Sequence, residues 1–87
     1  MENFNKALPV SDELLNFNFT QISGEDGYTY FVSVVDKYFA HFTFSMEKTK
    51  NGWEIMNKPL VPAWIKALED ELSDAIHVTE LYHAKSK

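Results

Sequence analysis

The chain has 87 residues, 45% of them hydrophobic and 15% aromatic, which is enough apolar material for the core of one small globular domain and excludes disorder by composition. Its formal net charge is −5 and it contains no arginine, so nucleic-acid binding, which needs a basic patch and usually arginine, is disfavoured. The absence of cysteine excludes a disulfide framework, a thiolate metal site and a cysteine nucleophile.

No segment suggests secretion or membrane insertion. The N-terminus has no basic stretch leading into an apolar run, and nowhere do about 18 apolar residues follow one another. Together with the lack of cysteine, these features predict a soluble cytoplasmic protein that forms a single domain over residues 1 to 87 and has no membrane partner.

Residues 1 to 13 are predicted to be a short lead-in segment outside the main fold. Phe4, Ala7 and Leu8 have helical spacing, but Pro9 ends any helix after about two turns.

Residues 14 to 57 are predicted to form a four-stranded antiparallel β-meander. Residues 15 to 22 alternate between apolar and polar side chains, which is the period of a half-buried strand. Residues 28 to 35 and 39 to 46 are rich in aromatic and β-branched residues, which favour strands. A fourth strand is predicted to begin at Trp53.

The turns between these strands predict how they pair. Asn51-Gly52 is a strong hairpin dipeptide, and the SGEDG stretch supplies glycines and acidic turn formers. The predicted pairs are Phe19 with Tyr30 across a four-residue loop at 23 to 26, Val32 with Phe42 across a three-residue loop at 36 to 38, and Lys48 with Ile55 across the Asn51-Gly52 turn. These registers place the large apolar residues of all four strands on one face.

Residues 61 to 77 are predicted to form an amphipathic helix that covers this apolar face. Pro62 suits the first turn, and the apolar side chains fall within an arc of about 120°, with Trp64 at its rim. The arc contains Val61, Trp64, Ile65, Leu68, Leu72, Ala75 and Ile76. Residues 78 to 87 form a tail that extends the helix, adds a short strand or frays. The predicted fold class is therefore α+β, with the helix packed on one face of the sheet.

No catalytic or metal-binding group is predicted from the histidines. His77, Glu80 and His83 have three-residue spacings that leave the two histidines about 120° apart on a helix, whereas metal-binding helices prefer a spacing of four. A nucleophilic catalytic site that uses His41 would need an orienting carboxylate and a glycine-rich nucleophile turn. Asp36 is the only plausible carboxylate, and the sequence has no such turn. No cofactor is predicted.

The second face of the sheet is the predicted binding surface. In the predicted register, Phe31 and Val35 on one strand lie beside Phe39 and His41 on the next, with Tyr38 in the turn. Three interpretations stay open for this surface: coverage by the chain's own termini, a homodimer interface, or a surface for another protein or a ligand. Exposed apolar patches of several hundred Å2 are uncommon unless they bind something.

A second candidate surface is acidic. Asp70 and Asp74 are spaced four residues apart on the predicted helix and face solvent opposite the apolar arc. They form either an ordinary solvated helix face or a docking site for a basic partner.

The sequence therefore favours a small acidic, noncatalytic protein–protein interaction module, of the inhibitor, immunity or accessory type. The alternative is a ligand-binding or enzymatic domain with a pocket formed at a homodimer interface by His41 and the tyrosines Tyr28, Tyr30 and Tyr38.

Overall fold

The fold is a curled antiparallel sheet with a helix packed against one of its faces. The structure, a computed structural model, describes residues 3 to 85, and side chains as far as residue 82. Five strands follow one another across the sheet in chain order and form a half-barrel. They are β1 (Asn3–Val10), β2 (Glu13–Gly24), β3 (Gly27–Val35), β4 (His41–Thr49) and β5 (Gly52–Ile55). The predicted α+β class with an antiparallel sheet and a C-terminal helix is confirmed.

The helical part follows the sheet in three pieces rather than as the single predicted helix. A 3₁₀ turn (Lys58–Leu60) leads into α1 (Ala63–Lys66), which Pro62 precedes, and α2 spans Glu69–Lys85. The break is a tightened turn in which the Leu68 amide donates to the Ile65 carbonyl, three residues back. The tail is helical as far as Lys85. None of the helices within residues 3 to 85 combines the length and the hydropathy that a membrane span requires.

The predicted number of strands was wrong, because the N-terminal segment is a strand. β1 pairs with β2 along its whole length, and Phe4 and Leu8 face the core. The spacing of four between them fits both a helix and one face of a strand, so periodicity alone misled the interpretation. Pro9 is compatible with a strand here because β1 lies at the edge of the sheet.

All three predicted registers were wrong by two residues. The two short turns are centred on residues 25 to 26 and 50 to 51, and the third loop spans residues 36 to 40. The short turns are possible because Gly27 and Gly52, the first residues of the strands that follow them, adopt positive φ. The observed pairs are Phe19 with Val32, Val32 with Phe44, and Met46 with Ile55. A shift of two leaves every side chain on its predicted face.

The core lies between the inner face of the sheet and the helices. Trp64 and Leu68 are half-buried at its margin, as predicted for Trp64 at the rim of the apolar arc. The buried residues are Leu8, Phe17, Phe19, Tyr30, Val32, Val34, Phe44, Met46, Trp53 and Ile55 from the sheet, with Val61, Ile65, Leu72, Ala75 and Ile76 from the helical part.

Side chains of α2 close the edge of the sheet at β5. The Trp53 amide donates to Ser73 Oγ at 3.0 Å, and the Ile55 amide donates to Glu69 Oε2 at 2.8 Å. Glu69 also pairs with Lys58 Nζ at 3.1 Å. The helix thereby supplies the acceptors that a sixth strand would otherwise provide. Ser73, which lies outside the predicted apolar arc, thus has a structural role.

Replacing Glu69 with alanine should destabilise the fold. The change leaves the Ile55 amide without its acceptor and removes a charge-assisted hydrogen bond, at a cost of about 1.5–3 kcal/mol. Glu71→Ala is the matched control, because Glu71 lies in the same helical turn but is exposed, and its cost should stay below about 0.5 kcal/mol. Urea unfolding of both variants checks this; equal costs would show that α2 does not depend on the contact with β5.

Candidate functional site

The outer face of the sheet, opposite the helix, carries no Asp, Glu, Lys or Arg in its first four strands as far as Ser45; Glu47, the next outward residue of β4, is charged. We call the outward-facing residues of β1 to β4, as far as Ser45, the uncharged face. They are Asn3, Asn5, Ala7, Pro9, Leu14, Asn16, Asn18, Thr20, Ile22, Thr29, Phe31, Ser33, Val35, His41, Thr43 and Ser45. Every one of these residues is exposed or half-buried.

This lack of charge is unusual for a solvent-facing surface. Charged residues make up 24% of the chain, and charged side chains normally lie at the surface. Glu47 and Glu54 point outward at one corner of the uncharged face, where Glu47 lies beside Thr29. Strand lysines such as Lys6 and Lys48 lie on the inner side of the sheet. Depletion of charge is the compositional mark of an interface core.

Three of the five predicted partner-binding residues lie together on this face. Phe31 and Val35 flank Ser33 along β3, and His41 pairs with Val35 from β4. The exposed fractions of Phe31 and Val35 are 38% and 39%. About three fifths of each residue is thus covered by its neighbours in the sheet, and the remainder is open to a partner.

The other two predicted residues, Tyr38 and Phe39, lie in the loop that connects β3 with β4. The register places His41, instead of Phe39, opposite Val35. Tyr38 and Phe39 are 77% and 82% exposed. The Asp36 carboxylate holds the loop by accepting the amides of Tyr38 at 2.8 Å and of Ala40 at 2.9 Å. The loop therefore presents two aromatic rings to solvent from a fixed backbone.

Phe39 is held in a left-handed conformation, with φ of 65°. A bulky residue in this region is uncommon and is disfavoured by about 1–2 kcal/mol. Because the ring is exposed, packing within the chain offsets little of this cost. Such outliers are frequent at binding sites.

Shallow clefts lie in three places on the surface of the described residues. One of about 460 Å3 lies at one end of the uncharged face and is lined by Ile22 and Thr29 together with Glu47 and Lys48. A second, of about 260 Å3, separates the 36 to 40 loop from Trp64 and the β1–β2 turn. The third is a groove of about 380 Å3 between β1 and α2, with Lys6, Glu71 and Asp74 in its lining. Of the two predicted acidic residues, only Asp74 lines this groove, while Asp70 is exposed on α2.

The residues of the alternative pocket are not brought together within one chain. Tyr30 is buried in the core, whereas Tyr38 is exposed beyond the end of β3. Tyr28 lies at the opposite end of β3, where its hydroxyl donates to the Glu80 carboxylate of α2. That hydrogen bond, aided by partial burial, raises the pKa of Tyr28 to about 12. His41 lies on the other side of the sheet.

Within the described residues, no three His, Asp or Glu side chains are close enough together to hold a metal ion. The side chain of His83, the last member of the H-x-x-E-x-x-H pattern, lies outside the described residues.

The described parts of both chain ends do not fold over the uncharged face. β1 extends the sheet sideways, and α2 packs on the inner face, where it contacts β5. Among residues 3 to 82, no side chain beyond the sheet itself is seen to cover the uncharged face. The described residues thus favour the two interpretations that require a binding partner, a homodimer interface or a surface for another molecule, over coverage by the chain's own termini.

Comparison of the chain with protein-family models, with curated proteins and with solved structures found no match.

Sequence reasoning missed the extent of the uncharged face because it searched for apolar residues. The polar members Asn16, Asn18 and Thr20 were assigned to the outer side of their strand but not counted as part of a site. Assigning each charged residue to a face of the predicted sheet would have shown that the outer face has few of them. The error of two residues in the register does not matter for this, because it leaves every side chain on its predicted face.

Replacing Phe39 with glycine should leave the fold as stable or stabilise it by roughly 0.5 kcal/mol, because glycine accepts positive φ without strain. Tyr38→Gly is the control: Tyr38 is equally exposed but has no positive φ, so the change should destabilise by about 0.5–1 kcal/mol. Thermal unfolding of both variants measures the contrast. Equal destabilisation would mean that Phe39 supports the fold.

Replacing Tyr28 with phenylalanine tests the contact between β3 and α2. Because the pKa of Tyr28 is raised from 10.0 to about 12 in the folded protein, the stabilisation is fully present below pH 10 and is lost as the pH rises through 12. We expect a cost of about 0.5 kcal/mol at neutral pH, since the pair is exposed. The difference in tyrosinate absorbance between the wild type and Tyr28→Phe reports the ionisation of Tyr28, and its midpoint should lie near pH 12. A midpoint near pH 10 would contradict the hydrogen bond between Tyr28 and Glu80.

Proposed function

We propose that this protein is a noncatalytic protein-interaction module, of the inhibitor, immunity or accessory type, that acts in the cytoplasm and binds its partner through the uncharged face. The observation that carries the proposal is the absence of charge from the outward-facing residues of β1 to β4 as far as Ser45, in a chain in which 24% of residues are charged. Solubility alone favours charged side chains on an exposed sheet face, so their absence calls for a different explanation.

The composition of this face suits a protein surface as its ligand. Phe31 and Val35 supply apolar area near its middle, and the surrounding amides and hydroxyls can hydrogen-bond across an interface. A small molecule would need a concave site. One cleft borders this face at Ile22 and Thr29, but its lining does not include Phe31, Val35 or His41, so a surface contact accounts better for those three residues.

The exposed loop adds two anchors to the proposed surface. Tyr38 and Phe39 are large and held on a backbone that Asp36 fixes, so binding them costs little conformational entropy. Aromatic residues of this kind are frequent among those that dominate binding energy.

A charge placed on the uncharged face should abolish binding. His41→Lys adds a lysine there, while His77→Lys makes the identical change on the exposed surface of α2. A buried lysine without a partner costs several kcal/mol. Immobilised wild type and His77→Lys should capture the same protein from a lysate of the source cells, identified by mass spectrometry, and His41→Lys should not.

Circular dichroism and urea unfolding of both lysine variants should match the wild type, because both histidines are exposed. Capture that is equal for all three proteins would show that binding does not use the uncharged face, and the proposal would then be wrong.

A further inference from the structure

We infer that the partner of the uncharged face is a second copy of this chain, packed face to face about a twofold axis. This inference rests on the proposed function, since it names the occupant of the same surface. The arrangement is a two-layer β-sandwich in which each half-barrel keeps its own helix on the outside. Two sheets packed in this way lie about 10 Å apart with their strands rotated by about 30°.

The charge distribution favours this occupant. Each copy carries a formal net charge of −5, so two copies repel each other wherever their acidic surfaces meet. The uncharged face allows close approach around Ser33 without placing like charges opposite one another, because the outward carboxylates Glu47 and Glu54 lie at one corner of the face, next to Thr29. A partner recognised by charge would require a charged surface in this place, and none is present.

The polar side chains of the face are complementary to themselves. One row across the sheet reads Asn5, Asn18, Ser33 and Thr43. Amide and hydroxyl groups each both donate and accept hydrogen bonds, so a twofold axis can pair such groups with their own copies. An isologous dimer requires a surface with this property.

The apolar residues fit the same arrangement. Phe31 and Val35 lie on either side of Ser33 on β3. With a twofold axis near Ser33, the rings and methyl groups of one copy would fill the space between the sheets beside those of the other. The two side chains left partly exposed in the monomer would then be buried.

The size of the face indicates a weak, reversible dimer. Strands about 4.8 Å apart, with about seven residues of 3.4 Å rise each, give four strands a projected area of roughly 450 Å2 per copy. Because the sheet is curled, this flat area is an upper limit, so two copies bury at most about 900 Å2, which is below the range of stable specific interfaces and typical of weak ones. We expect a dissociation constant of about 10–100 μM.

Sedimentation velocity between about 1 μM and 1 mM tests the inference over this range of affinities. The wild type and His77→Lys should form dimers with similar dissociation constants, while His41→Lys should associate at least about tenfold more weakly. Raising the sodium chloride concentration should strengthen the dimer, because screening weakens the repulsion between two acidic chains. Association that salt weakens would contradict the inference.

Cross-linking locates the interface independently, since the chain contains no native cysteine. Ser33→Cys places a single thiol near the proposed axis, and His77→Cys places one on the far side of the molecule. At a concentration where the wild type is dimeric, a short bismaleimide should link Ser33→Cys chains in pairs and leave His77→Cys chains unlinked. Equal cross-linking of both variants would overturn the face-to-face arrangement.

The outcomes separate this inference from the proposed function. If the wild type is monomeric to 1 mM but captures another protein in a way that His41→Lys abolishes, the second copy is wrong and the interaction module stands. If all variants dimerise equally, the dimer uses another surface and this inference is wrong. If the wild type is monomeric and capture is insensitive to His41→Lys, both are wrong.

Discussion

The hydrogen bonds that Glu69 and Ser73 accept from the backbone of β5 determine where α2 lies, and thereby which face of the sheet is left open. A chain of 87 residues has one long helix to place, and a sheet of five strands has two faces. Leu72, Ala75 and Ile76 of α2 are buried against the inner face, and the two acceptors on α2 join the helix to the β5 edge of that same layer. The outer face must therefore be stable in water by its own composition or be covered by another molecule.

The sequence could predict the faces of the strands but not their registers. Alternation assigns Phe19, Val32, Phe44 and Ile55 to the inner face whichever loop lengths are assumed, and the structure places them there. The pairing depends on local details: the Asp36 carboxylate holds a loop of five residues, the turn before Gly27 has two residues instead of four, and the turn before Gly52 is shifted by one residue. The spacing of hydrophobic residues in the sequence does not reveal such contacts. The strand β1 was not predicted because the four-residue spacing of Phe4 and Leu8 fits both a helix and one face of a strand.

The same distinction explains which parts of the candidate site could be predicted. Phe31, Val35 and His41 belong to the second face by alternation alone, and they lie together in the structure. Phe39 was placed beside them by an assumed loop length, and the longer loop carries it out of the strand into an exposed left-handed conformation. The hydrogen bond from the Trp53 amide to Ser73 could not be predicted. It depends on the rotation of α2 about its own axis and on the position of β5, and the sequence determines neither.

The treatment of the edges bears on how two copies can meet. An open sheet can associate through its edge strands or through an uncovered face. At β5 the amides of Trp53 and Ile55 are already bound by α2, and at β1 the inward-pointing Lys6 and the amide-free Pro9 oppose the addition of another strand. Head-to-tail association of one edge with the other would add strands without limit, whereas a twofold contact, through β1 or through the uncharged face, closes at a dimer. Because Lys6 and Pro9 oppose the contact through β1, the uncharged face is the surface that we propose for self-association.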